Sequence, residues 1–205
     1  MKSVLLPVLL LFSLLFLAGC ETLAPRIEGP ANLDAWEERR AWLEGLESWQ
    51  LEGRVAIKAY DDGWTASVDW MQVGDHLDVN FSGPLGVGSA RIAGTPAALE
   101  VHTTEGEHFM TTDPETDLYW QLGWTAPLDR MGYWVLGLPG PGGSPVLDVD
   151  AAGRLVQLRQ GAWIVDYVDY RLLDDGRALP RKIEMWRDGV RIRLVISDWQ
   201  LQEGN

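Results

Sequence analysis

The side chains that could support acid–base or metal chemistry are few and scattered in this sequence. Two aspartate pairs, Asp61-Asp62 and Asp174-Asp175, each precede a glycine, where aspartate is favoured because it hydrogen-bonds the local backbone of a turn. His102 and His108 flank another turn, but a histidine pair by itself rarely forms a metal site. We therefore expect no catalytic residues, no bound metal and no cofactor, and we expect that the protein is not an enzyme.

Sequence motifs for nucleophilic catalysis and phosphate binding are also missing. No serine stands in the G-x-S-x-G pattern of a nucleophile elbow. The glycine-rich run Gly86-Val87-Gly88-Ser89 lacks the lysine and the following helix of a phosphate-binding loop. Catalytic residues could still converge from distant strands, so a hydrolase of lipids or envelope glycans stays open as an alternative that no motif supports.

The composition is that of a globular protein with an acidic surface. The 205 residues are 46% hydrophobic, which is enough for one sizeable core. Thirty acidic residues against 17 basic ones give a net charge of −13, which argues against nucleic-acid binding and against docking on anionic lipid by charge alone. A single cysteine excludes an internal disulfide and a cysteine-rich metal site.

The N-terminus combines a basic start, an apolar run and the only cysteine. Lys2 precedes residues 4–18, which are apolar except for Ser13, and Leu17-Ala18-Gly19-Cys20 follows. This segment resembles the bacterial lipoprotein signal, which implies a signal peptide at 1–19 and a lipid anchor on Cys20. An ordinary signal peptide with a coincidental cysteine is the alternative. Residues 20–31 then form the lipidated cysteine and a flexible tether.

The location follows from the same signal. Glu21 stands directly after the cysteine, where aspartate is the familiar signal for retention in the inner membrane. We therefore expect a protein that is lipid-anchored in the outer membrane and faces the periplasm.

The remaining residues, 32–205, are expected to form a single, mainly β domain. Asn32 is a candidate N-cap for an amphipathic helix with Trp36, Trp42, Leu43 and Leu46 on one side. After it, apolar and polar residues alternate with a period of two between closely spaced turn signals. This pattern predicts about eleven short strands in an antiparallel meander that curls into a barrel or half-barrel. Beyond the first three strands, they are expected near 87–93, 98–103, 107–111, 146–150, 154–160, 163–170, 181–187 and 190–199.

The segment from 113 to 145 has a helical pattern instead. Asp113-Pro114 is a good helix start, and Pro127 can begin a second helix. The run Leu138-Pro139-Gly140 ends it sharply. Because a helical insertion with apolar faces must cover an apolar surface, we expect it to lie over the concave side of the sheet.

Two motifs carry a family resemblance. Ser82-Gly83-Pro84-Leu85-Gly86 lies between the third and fourth predicted strands, and the run W-V-L-G-L-P-G at 134–140 closes the helical segment. Together with Cys20, the leading helix and the order of strands, they resemble the LolB family of outer-membrane lipoprotein receptors. The resemblance covers essentially the whole mature chain, although this chain is richer in tryptophan and acidic residues than the enterobacterial members.

The resemblance implies an open half-barrel with a helical lid over an apolar cavity. The protein would accept acylated lipoproteins from a soluble periplasmic carrier and insert them into the inner leaflet of the outer membrane, without ATP. The expected cavity lining is Val55, Ile57, Trp64, Ala66, Val68, Leu77, Val79 and Phe81. The expected lid residues are Leu118, Leu122, Met131, Trp134 and Leu138. Each of these residues could equally belong to an ordinary packed core.

The resemblance also suggests a membrane insertion loop, and the acidic charge of the chain suggests a docking surface. The loop is Gly83, Pro84, Leu85 and Gly86, in which Leu85 would enter the bilayer. The chain is expected to act as a monomer, and its exposed carboxylates would meet a basic patch on the carrier; the candidates are Asp61, Asp62, Asp113 and Glu115. A lipoprotein that carries free lipids, or an assembly lipoprotein with a packed core, remains an alternative.

Overall fold

The computed structural model describes residues 29–86, 88–104, 106–113, 116–117 and 127–203. The predicted signal peptide, Cys20 and most of the tether lie outside the described residues, as do Leu118 and Leu122. Neither described helix is long and apolar enough to cross a membrane.

Eleven strands form one antiparallel sheet in the order β6-β5-β4-β3-β2-β1-β11-β10-β9-β8-β7. Their bounds are β1 Leu46–Ala59, β2 Asp62–Val73, β3 His76–Ser82, β4 Ala90–Thr95, β5 Ala98–Thr103, β6 His108–Thr111, β7 Val146–Val149, β8 Leu155–Gln160, β9 Trp163–Leu172, β10 Ala178–Arg187 and β11 Val190–Glu203. Consecutive strands are neighbours in the sheet except β6 and β7, which form its two open edges. The first and last strands, β1 and β11, pair in the middle. The predicted mainly β, open antiparallel meander is confirmed.

Two described helices lie beside the sheet, α1 Leu33–Glu44 and α2 Leu128–Leu136. Asn32 is the N-cap of α1, because its side chain accepts a hydrogen bond from the Ala35 N–H at 3.1 Å. The prediction that this helix includes Leu46 is wrong. The Gly45 N–H closes the last turn on the carbonyls of Ala41 and Trp42, and Leu46 already pairs with Glu203 in β1.

The sheet has two ends, and the tight turns between paired sequential strands lie at one or the other. The turns at 60–61, 83–89, 104–107, 161–162 and 188–189 lie at one end, which is called the mouth end below. The turns at 74–75, 96–97 and 173–177 lie at the opposite end. The two aspartate pairs therefore stand at opposite ends of the sheet.

The core lies on the concave side, where the inward-facing residues of the strands meet the helices. Much of it is aromatic: the Trp49 ring centroid is 5.3 Å from that of Trp70 and 5.8 Å from that of Trp199. Trp36, on α1, is also buried. Rings of this size bury 150–250 Å² each, which gives a structural use to part of the unusual tryptophan content.

Candidate functional site

An apolar cavity of about 500 Å³ lies between the mouth end of the sheet and α2. This volume is within the range of about 300–1,000 Å³ that is usual for sites that bind small molecules. Most of its described lining is aliphatic or aromatic: Val55, Ile57, Ala59, Trp64, Val68, Trp70, Phe81, Ala90, Ile92, Leu128, Met131, Met185, Ile192 and Leu194. Such a wall suits a hydrocarbon chain.

The alternation of the strands puts these side chains on one wall. Successive residues of a strand point to opposite faces, so every second residue looks into the concave side. Ile57 and Trp64 are register partners on β1 and β2, and Val68 and Phe81 are partners on β2 and β3. The Trp64 and Phe81 rings meet edge to face with centroids 5.5 Å apart. The wall is therefore built by neighbouring strands rather than by a loop.

The helical side of the cavity comes from the N-terminal half of α2. Leu128 and Met131 line the cavity, one turn apart on the same helix face. Trp134 and Leu138 do not line it; they are buried in the core at 0% and 3% exposure. Of the five residues expected in the lid, the structure thus places one at the cavity and two in the core, and two lie outside the described residues.

The expected lining residues divide in a similar way. The structure places Val55, Ile57, Trp64, Val68 and Phe81 at the cavity wall. Ala66, Leu77 and Val79 face the same concave side but lie in the packed core, with 6%, 2% and 6% of their surface exposed. Ala66 is small, and Leu77 and Val79 sit farther along β3 from the mouth end.

The wall also contains residues that the sequence analysis did not single out. Met185, Ile192 and Leu194 come from β10 and β11. They enter the wall because β11 pairs with β1, where Val55 faces Leu194 and Ile57 faces Ile192. The alternation of apolar and basic residues in 190–194 was a usable signal for the orientation of Ile192 and Leu194. The pairing of the first and last strands was not visible in any local pattern.

The polar part of the lining lies at the mouth. Asp62, Ser89, Thr103 and Glu107 border the cavity there. Asp61 and Asp188 are exposed on two turns of the same sheet end. The mouth is therefore an apolar opening with an acidic rim.

The loop that was expected to insert into a membrane stands at this mouth. Pro84–Gly86 form one 3-10 turn, which the Gly86 N–H closes on the Gly83 carbonyl at 3.0 Å. The Ser89 hydroxyl donates to the Gly86 carbonyl at 3.1 Å and accepts from the Gly83 N–H at 3.3 Å. Gly83 is buried and Pro84 is exposed, while the Leu85 side chain lies outside the described part of the structure.

The run W-V-L-G-L-P-G has a structural explanation. Gly137 ends α2 with a left-handed φ of 86°, which favours glycine. On the two sides of Gly137, the Trp134 indole and the Gly140 N–H both donate hydrogen bonds to Gln160 Oε1 at 2.9 Å. Gln160 Nε2 donates to the carbonyls of Gly140 and Gly142 at 2.7 and 2.8 Å. The motif therefore fixes the C-terminal end of α2 and does not line the cavity.

Two buried tyrosines hold the same region from β9. The Tyr167 hydroxyl donates to the Trp134 carbonyl at 2.9 Å, and the Tyr170 hydroxyl donates to the Leu155 carbonyl at 2.7 Å. Burial raises the pKa of Tyr167 well above its ordinary value, and it raises the pKa of Tyr170 as well. Both phenols are therefore neutral hydrogen-bond donors with a structural role.

Comparisons with known proteins agree with this architecture. A family model described as "Outer membrane lipoprotein LolB" matches residues 47–199. Proteins named "Outer-membrane lipoprotein LolB" from Stutzerimonas stutzeri and Nitrosococcus oceani are 37% and 38% identical to the chain. These matches cover 98% and 94% of this chain and 96% of each relative.

A solved structure shares the fold at lower sequence identity. A LolA superfamily protein from Nitrosomonas europaea superposes with a TM-score of 0.55 at 14% identity, over 86% of this chain and 96% of its own. At this identity the likeness concerns the fold alone.

Proposed function

The chain belongs to the LolB family of outer-membrane lipoproteins, which act in lipoprotein localisation. We propose that it is the receptor for the last step of this process, the transfer of lipoproteins to the outer membrane. It accepts acylated lipoproteins from a soluble periplasmic carrier and inserts them into the inner leaflet of the outer membrane. The observation that carries the proposal is the apolar cavity of about 500 Å³, whose lining includes Ser89, the residue that hydrogen-bonds the Gly83–Gly86 loop.

The cavity answers the main physical problem of such a cargo. Burial of a methylene is worth about 0.8 kcal/mol, so three long acyl chains exposed to water would cost tens of kcal/mol. An apolar pocket removes part of this cost during the transfer. If the carrier, this cavity and the bilayer offer environments of similar affinity, the cargo moves down a shallow gradient and no ATP is needed.

The lipid anchor and the loop have separate tasks in this proposal. Acyl chains on Cys20 tether the protein to the outer membrane. Leu85 enters the bilayer and directs the cavity mouth towards it. A single buried leucine is worth about 1.5–3 kcal/mol, which is enough to orient a mouth but too little to anchor a protein.

The acidic rim provides the contact with the carrier. Asp62 and Glu107 border the opening, and Asp61 and Asp188 are exposed on turns at the same end of the sheet; together they attract a basic patch around the mouth of the carrier. Asp113 is exposed too, and Glu115 lies outside the described residues. The protein acts as a monomer, since one chain supplies both the cavity and its rim.

A flotation assay tests the proposal. A carrier loaded with a triacylated lipoprotein is mixed with liposomes, with and without a soluble form of this protein that begins at residue 21. The liposomes are then floated and the cargo in the lipid fraction is measured. Cargo should leave the carrier and float only when this protein is present.

The same assay separates the proposal from its main alternative, carriage of free lipids. A cavity of this size and polarity would also hold free fatty acyl chains or a lysophospholipid. If the protein takes up such lipids but leaves lipoprotein on the carrier, the receptor role is contradicted and lipid carriage explains the cavity.

A further inference from the structure

We infer that Glu100, His102 and His108 form a binding site for one divalent transition-metal ion such as Zn²⁺. The site lies on the outer face of the β5–β6 hairpin, on the opposite side of the sheet from the cavity. It does not depend on the proposed function. The sequence analysis expected no metal because a histidine pair alone rarely forms a site; the structure adds the third ligand.

The sheet register brings the two histidines together. His102 on β5 and His108 on β6 are direct register partners. The Thr103 N–H bonds the Glu107 carbonyl at 2.9 Å, so the next pair along the hairpin is the non-hydrogen-bonded kind, in which side chains come closest. The two imidazole rings lie parallel within 9° and their centroids are 4.2 Å apart.

Glu100 completes the set from the same face of β5. It stands two residues before His102, so its side chain projects on the same side of the sheet. One of its oxygens, Oε1, lies 3.0 Å from His102 Nε2 and 2.8 Å from His108 Nε2. All three ligand atoms lie within 4.8 Å of one another.

These separations suit a tetrahedral ion. Zn²⁺ binds imidazole nitrogen and carboxylate oxygen at about 2.0–2.2 Å, which places neighbouring ligand atoms about 3.3 Å apart on a tetrahedron. The two N–O separations, 3.0 and 2.8 Å, are a few tenths of an ångström shorter than this value. The ion would therefore replace the two N–H···O hydrogen bonds after a small outward movement of the side chains, with each imidazole carrying its proton on Nδ1.

The donor set selects the class of metal. Two imidazoles and one carboxylate suit zinc, copper and nickel, whereas calcium and magnesium prefer sites made of oxygen. Since all three side chains are about half exposed, water can fill the remaining coordination position.

The surroundings leave the carboxylate available. Hydrogen bonds from His108 and His102 lower the pKa of Glu100, so it is ionised at neutral pH. The neighbouring cation, Arg91, is the register partner of His102 on β4. Its charge is engaged by Asp78, which accepts a hydrogen bond from Arg91 Nε at 2.9 Å and another from Nη2.

The metal site lies beside the cavity mouth, where a bound ion would stabilise the β5–β6 hairpin. β6 is an edge strand. Thr103, at the end of β5, and Glu107, in the β5–β6 turn, border the cavity mouth. An ion that joins His102 to His108 clamps the two strands directly below this turn. It would stabilise one side of the mouth without occupying the cavity.

Calorimetric titration with ZnCl₂ tests the site. The full chain in detergent micelles is first treated with EDTA and exchanged into buffer without chelator. We expect one Zn²⁺ per chain, with affinity at least tenfold weaker in His102→Ala and in His108→Ala. His76→Ala is the matched control, since His76 is the one remaining histidine of the sequence and begins β3. The Zn²⁺ affinity of this variant should equal that of the wild type.

A second variant and a second readout guard against misfolding. Glu100→Gln keeps the shape of the side chain and should weaken Zn²⁺ binding severalfold. Zn²⁺ should raise the midpoint of thermal unfolding of the wild type and of His76→Ala but not that of His102→Ala. The site is contradicted if the titration detects no binding of Zn²⁺ to the wild type, or if all variants bind Zn²⁺ equally.

Discussion

The indole Nε1 of Trp134 donates a hydrogen bond to Gln160 Oε1 at 2.9 Å, and both side chains are almost completely buried. This contact joins the C-terminal end of α2 to strand β8. The N-terminal half of the same helix borders the cavity through Leu128 and Met131. We therefore expect a movement of α2 that enlarges the cavity to begin at its N-terminal end.

Replacement of Gln160 by leucine should destabilise the fold. The change leaves the Trp134 indole, the Gly140 N–H and the carbonyls of Gly140 and Gly142 without their partner. An unsatisfied buried polar group costs about 1–3 kcal/mol, so we expect a loss of at least about 2 kcal/mol in the free energy of unfolding, measured in urea.

Gln157→Leu is the control on the same strand. Gln157 makes one side-chain hydrogen bond, to Asp166 at 2.7 Å, in a half-buried position. Its loss should cost under about 1.5 kcal/mol. Equal stability losses for the two variants would contradict the role assigned to Gln160.

A larger side chain in the cavity should block cargo without disturbing the fold. Ala90 lines the cavity on β4, and Ala90→Phe would fill part of the space available to an acyl chain. Binding of a triacylated lipopeptide, followed by fluorescence titration, should weaken at least tenfold. Ala93→Phe places the same ring on the outer face of the same strand and should bind like the wild type.

The sequence predicted the sheet well because its signals are local. Period-two alternation and glycine-containing turns identified the strands, and Asn32 identified the start of α1. The fourth strand, expected at 87–93, begins at Ala90 instead. Gly86 and Gly88 have positive φ angles of 80° and 67°, which keep the preceding segment in a turn.

The cavity was predicted less completely than the sheet. Its lining depends on the pairing of strands that are far apart in sequence and on how far each inward-facing residue lies from the mouth. Nothing in the alternation of β3 distinguishes Phe81, at the cavity, from Leu77 and Val79, in the core. Trp134 looked like a lid residue because it is apolar and helical, whereas its indole nitrogen has a buried partner 26 residues away. A helical pattern identifies an apolar face but does not identify what that face touches.

A charged residue in the Gly83–Gly86 loop should impair insertion of lipoprotein into the bilayer but not its acceptance from the carrier. We expect Leu85→Glu to fold and to accept lipoprotein from the carrier, but to insert it into liposomes about tenfold more slowly or worse. The reason is that about 1.5–3 kcal/mol of leucine burial is lost. Leu172→Glu is the matched control, because Leu172 is 60% exposed at the opposite end of the sheet. Wild-type insertion by Leu85→Glu would rule out the loop's role.

The acidic rim should make carrier association dependent on salt. Between 10 mM and 1 M salt the screening length falls from about 30 Å to about 3 Å, so the association rate measured by stopped-flow should fall steeply. Asp61→Asn together with Asp188→Asn should lower the rate at low salt. The pair Asp75→Asn and Asp174→Asn, at the other end of the sheet, should leave it unchanged. A rate that does not vary with salt would contradict electrostatic docking.

The central claim is that cargo acyl chains occupy the cavity during transfer, and photo-crosslinking tests it most directly. Benzoylphenylalanine is introduced at Ile92, which lines the cavity, or at Ala93, which faces outward on the same strand. Carrier loaded with a lipoprotein that bears radiolabelled acyl chains is then added under illumination. The account predicts that label becomes attached at position 92 and not at position 93. Transfer that proceeds with no label at position 92, or with equal label at both positions, would contradict it.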